Sequence, residues 1–247
     1  MSRVISLVPS WTETLLDCGV DVVGRTRYCI HPAERVADIP VLGGTKRLEW
    51  SQWRHLEADL VVMDRDENTL EIADQCPFPR FTSHVRSLAD AAHDTQRLGE
   101  QLDNHPLQQV AQRWHRVISQ PLPDRPLAAI PGVLHWLHKP ESEPQTLLYL
   151  IWRKPWMAAG TGTFIGAMLS HLGFGWALPP AGEPYPTIEL EAFDPKTTLL
   201  LLSSEPYPFE RHLTRLASLP YPMALVDGEL YSWYGVRALR FLEEALS

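Results

Sequence analysis

The chain opens on an apolar run, Val4-Ile5-Ser6-Leu7-Val8, the pattern of a strand buried on both faces. Pro9-Ser10 ends it. Ser10, with Glu13 three residues on, reads as a capping box on a helix that stops at Cys18-Gly19. The alternation continues with strands at 21–24, 41–45, 59–63 and 81–83 and helices at 48–56 and 69–75. Strands alternating with helices predict an α/β layer around a mainly parallel sheet.

From Arg86 to Gln120 the period changes. Leu88, Ala91, Ala92, Leu98, Leu102, Val110, Ala111, Trp114, Val117 and Ile118 recur at helical spacing. Pro106 kinks or divides this stretch; the simple reading is one helix about 50 Å long at 1.5 Å per residue. Residues 121–146 hold six prolines and no periodic run. Strands then return at 147–152, 198–202 and 223–226, with helices at 163–171, 210–217 and 237–246. The predicted fold is α/β, two Rossmann-like lobes with central, mainly parallel sheets joined by one long helix. The division is residues 1–85, the connecting helix 86–120, and residues 121–247.

Trp156–Gly182 carries no Asp, Glu, Lys or Arg. Its glycines, Pro179-Pro180 and His171 make it loop, helix, loop rather than a membrane span. The 247 residues are 45% hydrophobic and 21% charged, which excludes a disordered chain or a coiled coil. A net charge of −8 with scattered basic residues argues against nucleic acid as partner. Cys18, Cys29 and Cys76 show no paired spacing, so neither a disulfide framework nor a zinc ribbon is expected. The first residues lack the features of a signal peptide. The chain as it stands is expected to be cytoplasmic, or periplasmic if it is the trimmed form of an exported protein.

The unusual chemistry sits in loops. Pro9–Glu13, Arg25–Pro32, Trp152–Trp156 and Ser203–Tyr207 each follow a predicted strand, and Glu229–Gly235 lies near the end. In open α/β sheets ligands bind beyond the carboxyl ends of the strands. Trp152, Trp156 and Trp233 offer broad aromatic planes suited to a flat, bulky ligand. Cys29 and His31 form a weak metal or catalytic pair, and His31 is the better candidate because neutral imidazole ligates metals directly. His135 and His138 are spaced to share a helix face and are expected in solvent. Gly43-Gly44 and Gly160-Thr161-Gly162 read as turns. No GxSxG, P-loop, HExxH or GxGxxG occurs.

Ile5–Glu13, Val23–Pro32, Val41–Lys46, Leu56–Val62, Ser203–Phe209 and Val226–Gly235 together resemble the cobalamin- and siderophore-binding proteins of ABC importers. The similarity is to the cobalamin-binding branch of the helical-backbone metal receptor superfamily. It implies a ligand held in a cleft between two lobes, with little closure. Trp11, Tyr28, Trp152, Trp156, Tyr207, Trp233 and Tyr234 would supply planes and edges. Arg25, His31 and Glu205 would supply polar contacts, and Ser10, Thr12, Gly44 and Thr45 complete the expected lining. His31 is the residue expected to reach a chelated metal.

The resemblance implies no catalysis and no cofactor of the protein's own. The ligand would be cobalamin or another metal chelate. An ABC permease would dock on an acidic residue of each lobe, Glu71 (or Glu67) and Glu210, and the chain would be a monomer. Alternatives are a cytoplasmic protein that handles or senses such a chelate, or an enzyme acting on it through His31, Cys29 or Glu13.

Overall fold

A computed structural model describes residues 2–180 and 182–247. In the first half the elements are β1 (Arg3–Ser6), α1 (Pro9–Asp17), β2 (Asp21–Thr26), α2 (Ala33–Val36), β3 (Val41–Gly43), β4 (Leu60–Asp64), α3 (Leu70–Asp74), β5 (Arg80–Ser83), α4 (Leu88–Gln101) and α5 (His105–Ile118). The second half has β6 (Val133–His138), β7 (Thr146–Trp152), β8 (Met157–Ala158), α6 (Phe164–His171), β9 (Thr198–Ser203), α7 (Leu213–Leu216), β10 (Met223–Val226), α8 (Gly228–Ser232) and α9 (Val236–Leu246).

The chain forms two compact units. One comprises the residues up to Val117 together with Trp233–Arg240, the other Ile118–Ser232 with Phe241–Ser247. The fold is the expected α/β class, with one five-stranded sheet in each unit.

In the first unit the strand order is β3-β2-β1-β4-β5, and every pair is parallel. All five residues of β4, Leu-Val-Val-Met-Asp, are buried, as a central parallel strand covered on both faces requires. The core beneath contains Ile5, Leu7, Leu42, Trp50, Val61 and Met63. The order reverses between β1 and β4, and such a switch point opens a crevice at the strands' carboxyl ends. The expected helix over 48–56 is instead two short 3₁₀ turns, Trp50–Gln52 and Arg54–Leu56.

In the second unit the order is β6-β10-β9-β7-β8. The pairs β10–β9 and β9–β7 are parallel; β6 and β8 are antiparallel edge strands. β9 is buried throughout, and with Leu148, Phe209, Leu216 and Met223 it forms the core. β6 lies in the proline-rich stretch where no element was expected. Its residues are half-buried or exposed, so no apolar pattern marks it. His135 and His138 fall on this strand rather than on a helix, both exposed. Among its described residues the stretch 156–182 holds β8, α6 and a 3₁₀ turn at Gly175–Ala177, and no helix among the described residues is long and apolar enough to cross a membrane.

The single helix expected over 86–120 is two helices of 14 residues, α4 and α5. Asp103 takes a left-handed φ of 46°. Asn104 N–H donates to Gly99 O at 2.8 Å and Asp103 N–H to Glu100 O at 3.2 Å, the paired bonds that close a helix end. Asn104 Oδ1 then accepts the N–H of Leu107 at 2.9 Å and so caps α5. Pro106 falls in the first turn of the new helix, where its missing N–H costs nothing. Gly99 permits the crossing: a Cβ there would stand 3.0 Å from the backbone N of Gln108.

Candidate functional site

At the carboxyl edge of the first sheet a buried polar network ties the loops together. Asn68, 8% exposed, donates through Nδ2 to Thr45 O at 3.0 Å and Leu7 O at 3.4 Å. Its Oδ1 accepts the N–H of Asp64 at 2.9 Å. The Asp64 carboxylate accepts Ser83 Oγ–H at 2.7 Å and the N–H of Asp66 at 2.9 Å, and Ser83 Oγ in turn accepts Trp11 Nε1–H at 2.9 Å. Loops after β1, β3, β4 and β5 are thereby held as one rim. Sequence reading missed Asp64, Asn68 and Ser83. The only signal was an Asp and an Asn four apart just after a strand, typical of a side-chain-locked turn.

The β2 loop is braced from inside. Arg25 donates from Nε to Val36 O at 2.9 Å and from Nη1 to Cys29 O at 3.1 Å. It is a strut of the loop. Cys29 is fully buried, and its Sγ accepts Thr12 Oγ1–H at 2.9 Å. Burial pushes the Cys29 thiol up, against the opposing pull of Thr12, Thr26 and the Arg25 charge. A thiol so placed is a poor nucleophile and a poor metal ligand.

What the loop presents outward is Tyr28, 53% exposed, and Ile30, with His31 half-buried beside them. Tyr28 lies over Gly44, where an added Cβ would come 3.5 Å from Cε2. His31 meets Trp233 edge-on with ring centroids 5.5 Å apart. The Arg237 guanidinium lies over the same Trp233, 5.3 Å from its centroid.

Three expected ligand planes of this unit lie in the interior. Trp11 is fully buried and packs edge-on against Phe81 and Tyr234. Trp233 and Tyr234 are each 7% exposed. Thr12 is also fully buried, and Ser10 and Thr45 are nearly so. The capping box is a correction too. α1 begins at Pro9 with Val8 at its N-cap and no side-chain cap. Glu13 forms a two-pronged ion pair with Arg237, Nε to Oε2 and Nη2 to Oε1, both at 2.8 Å.

In the second unit the aromatic residues line up. Trp152 meets Tyr207 at 5.2 Å, Tyr207 meets Phe209 at 4.7 Å, and Phe209 stacks on Trp156 at 6.2 Å. Phe209 is wholly buried and anchors the row; Trp152 is 41% exposed, with Tyr207 and Trp156 half-buried. The Glu205 carboxylate accepts the hydroxyl of Ser232. Among the described residues no group of three or more His, Cys, Asp or Glu is arranged to hold a bare metal ion.

The whole chain superposes on the periplasmic haem-binding protein RhuT from Roseiflexus sp. RS-1, with a TM-score of 0.73, 19% identity, and 99% of this chain matched to 97% of that one. The chain has the fold of the periplasmic binding proteins. The vitamin B12-binding protein BtuF of Vibrio cholerae matches with a TM-score of 0.71 at 17% identity, covering 99% and 94% of the two chains. An ABC transporter substrate-binding protein from Listeria monocytogenes matches at 0.69 and 13%, covering 99% and 96%. No family model and no curated protein sequence matches the chain. Within the periplasmic-binding-protein fold seen here, Glu71 lies in the first turn of α3 and Glu210 in a 3₁₀ turn before α7, both exposed.

Proposed function

We propose that the protein is a non-catalytic receptor for a flat, tetrapyrrole-derived metal chelate, a corrinoid first, serving ABC-type uptake outside the cytoplasmic membrane. The observation that supports this most is the match over the whole chain to solved structures named for vitamin B12 and haem binding. Fold alone does not assign function, so the reading also rests on side chains. Tyr28 and His31 are accessible metal-ligating groups on the loop after β2, and Trp152 and Tyr207 are accessible planes at the end of β7 and beyond β9. Glu205 would receive a donor of the ligand's side arms. Glu71 and Glu210 remain the residues proposed to meet the permease.

Haem is the second reading. Tyrosine and histidine are both residue types that ligate haem iron, and this loop carries one of each three residues apart. The experiment is a parallel titration with cyanocobalamin and with haemin, followed by heat and by visible spectrum. Saturable binding of either supports the receptor. At a hundredfold excess over Kd it adds about 2.7 kcal/mol, which raises the melting temperature by roughly 5–10 °C. A spectral shift lost in His31→Ala or Tyr28→Phe identifies the residue on the metal. No heat and no shift with either compound overturns the reading. Recovery of a chemically altered chelate would replace the receptor with an enzyme.

A further inference from the structure

The turn between β7 and β8 and the end of α7 enclose a second feature. Arg153, Lys154 and Arg215 line a concavity of about 310 Å³, with Trp156, Leu216 and Leu219 as its apolar wall. That volume is at the small end of ligand pockets, about 300–1,000 Å³. No carboxylate lines it, and among the described residues none of the three cations is ion-paired. This is unexpected in a chain of net charge −8, where acidic side chains are abundant. The Arg153 guanidinium lies over Trp156, 5.8 Å from the ring centroid. Trp156 is in turn stacked on the buried Phe209 at an interplanar angle of 6°. One cation is therefore set against a fixed plane before any ligand arrives.

We propose that this pocket binds a phosphate group, free or carried as a phosphomonoester. Two guanidinium forks and one ammonium suit the tetrahedral oxygens of phosphate, and a concavity concentrates their field. The apolar wall fits a small organic body on the ester. A membrane surface is the less favoured source, because the charges are gathered in a hollow and the rest of the chain repels an anionic surface.

The test is a ³¹P NMR and calorimetric titration of the full chain with inorganic phosphate and with phenyl phosphate at constant ionic strength. Arg215 and Lys154 are exposed, so Arg215→Gln and Lys154→Gln keep the fold. Each is expected to weaken binding about tenfold, the worth of one charge-assisted hydrogen bond. Tighter binding of phenyl phosphate would assign the ester as the source, and equal binding the free anion. Non-saturable binding, or affinity unchanged in both variants, overturns the proposal. So does binding confined to phosphatidylserine vesicles. Arg215→Gln is expected to leave the cyanocobalamin and haemin titrations unchanged, so this site and the chelate site succeed or fail separately.

Discussion

Glu13 and Arg237 show how much one pair decides. Their side chains are 10% and 20% exposed, and two bonds at 2.8 Å join residues more than two hundred positions apart. Removing one partner of such a pair leaves a buried charge without compensation, which costs more than the pair itself contributes. Arg237→Met is therefore expected to destabilise the protein by about 3 kcal/mol in urea unfolding. Glu13→Gln combined with Arg237→Met should recover part of that loss. A single variant that costs under about 0.5 kcal/mol would show the pair to be a surface contact. The cysteines follow the same logic of burial. Desolvation pushes the Cys18 thiol up to about 12 and raises Cys29 as well. At this scale the sequence was least legible. Ser10, Trp11 and Glu13 lie in the first turns of α1, in the segment after β1 that residue type singled out. Nothing in one sequence says whether such a side chain faces the rim or the core, and Trp11 and Glu13 face inward to partners from β5 and from the chain's last segment.

The elements were more legible, because each carries its own period. β1, β4, β7, β9 and β10 are short apolar runs read directly from the chain, and α6, capped by Thr163, falls where a helix over 163–171 was expected. The failures have local causes. β6 is an edge strand with little burial, and so has no pattern to read. The α4–α5 break, which Pro106 signalled as a kink or a division, was read through because apolar spacing resumes on both sides of it. The turn chemistry is Asp103-Asn104 followed by Pro106. Asn104 carries the corner twice, through its cap on Leu107 and through Nδ2–H donated to Cys18 O at 3.3 Å. Asn104→Ala is expected to lower stability by about 1–2 kcal/mol. Asp103→Gly should act in the opposite direction, by about 0.5–1 kcal/mol, because glycine takes a positive φ without steric cost. Thermal melts of both variants decide this. If the two substitutions shift the melting temperature in the same direction, the corner is not what separates the helices.

At the scale of the molecule, the first unit is not a continuous segment. Trp233–Arg240 returns to it after Ile118–Ser232 of the second unit, and Phe241–Ser247 then belong to the second unit again. That segment supplies Trp233 against His31, Tyr234 against Trp11, Arg237 to Glu13, and a Val236 N–H donated to Thr14 Oγ1 at 3.2 Å. Its turn needs Gly235, whose φ is 134° and which packs against Thr14. Trp233, Tyr234 and Val236 are all buried. At about 1.5–3 kcal/mol per buried side chain, their loss removes roughly 5–9 kcal/mol, before counting the charge left on Glu13. A domain's entire stability is about 5–15 kcal/mol. A chain ending at Ser232 is therefore expected to lose cooperative folding of its first unit; the second loses Phe241–Ser247, whose Phe241 packs on Tyr231 of α8 rather than in the sheet, so β6–β10 keep their pairing. Amide hydrogen exchange reads the two units separately. Protection lost from β1, β2, β4 and β5 but kept in β7, β9 and β10 is the expected result. Full protection in β1 and β4 would mean that the first unit's own sheet suffices, and that the returning segment serves the His31 loop alone.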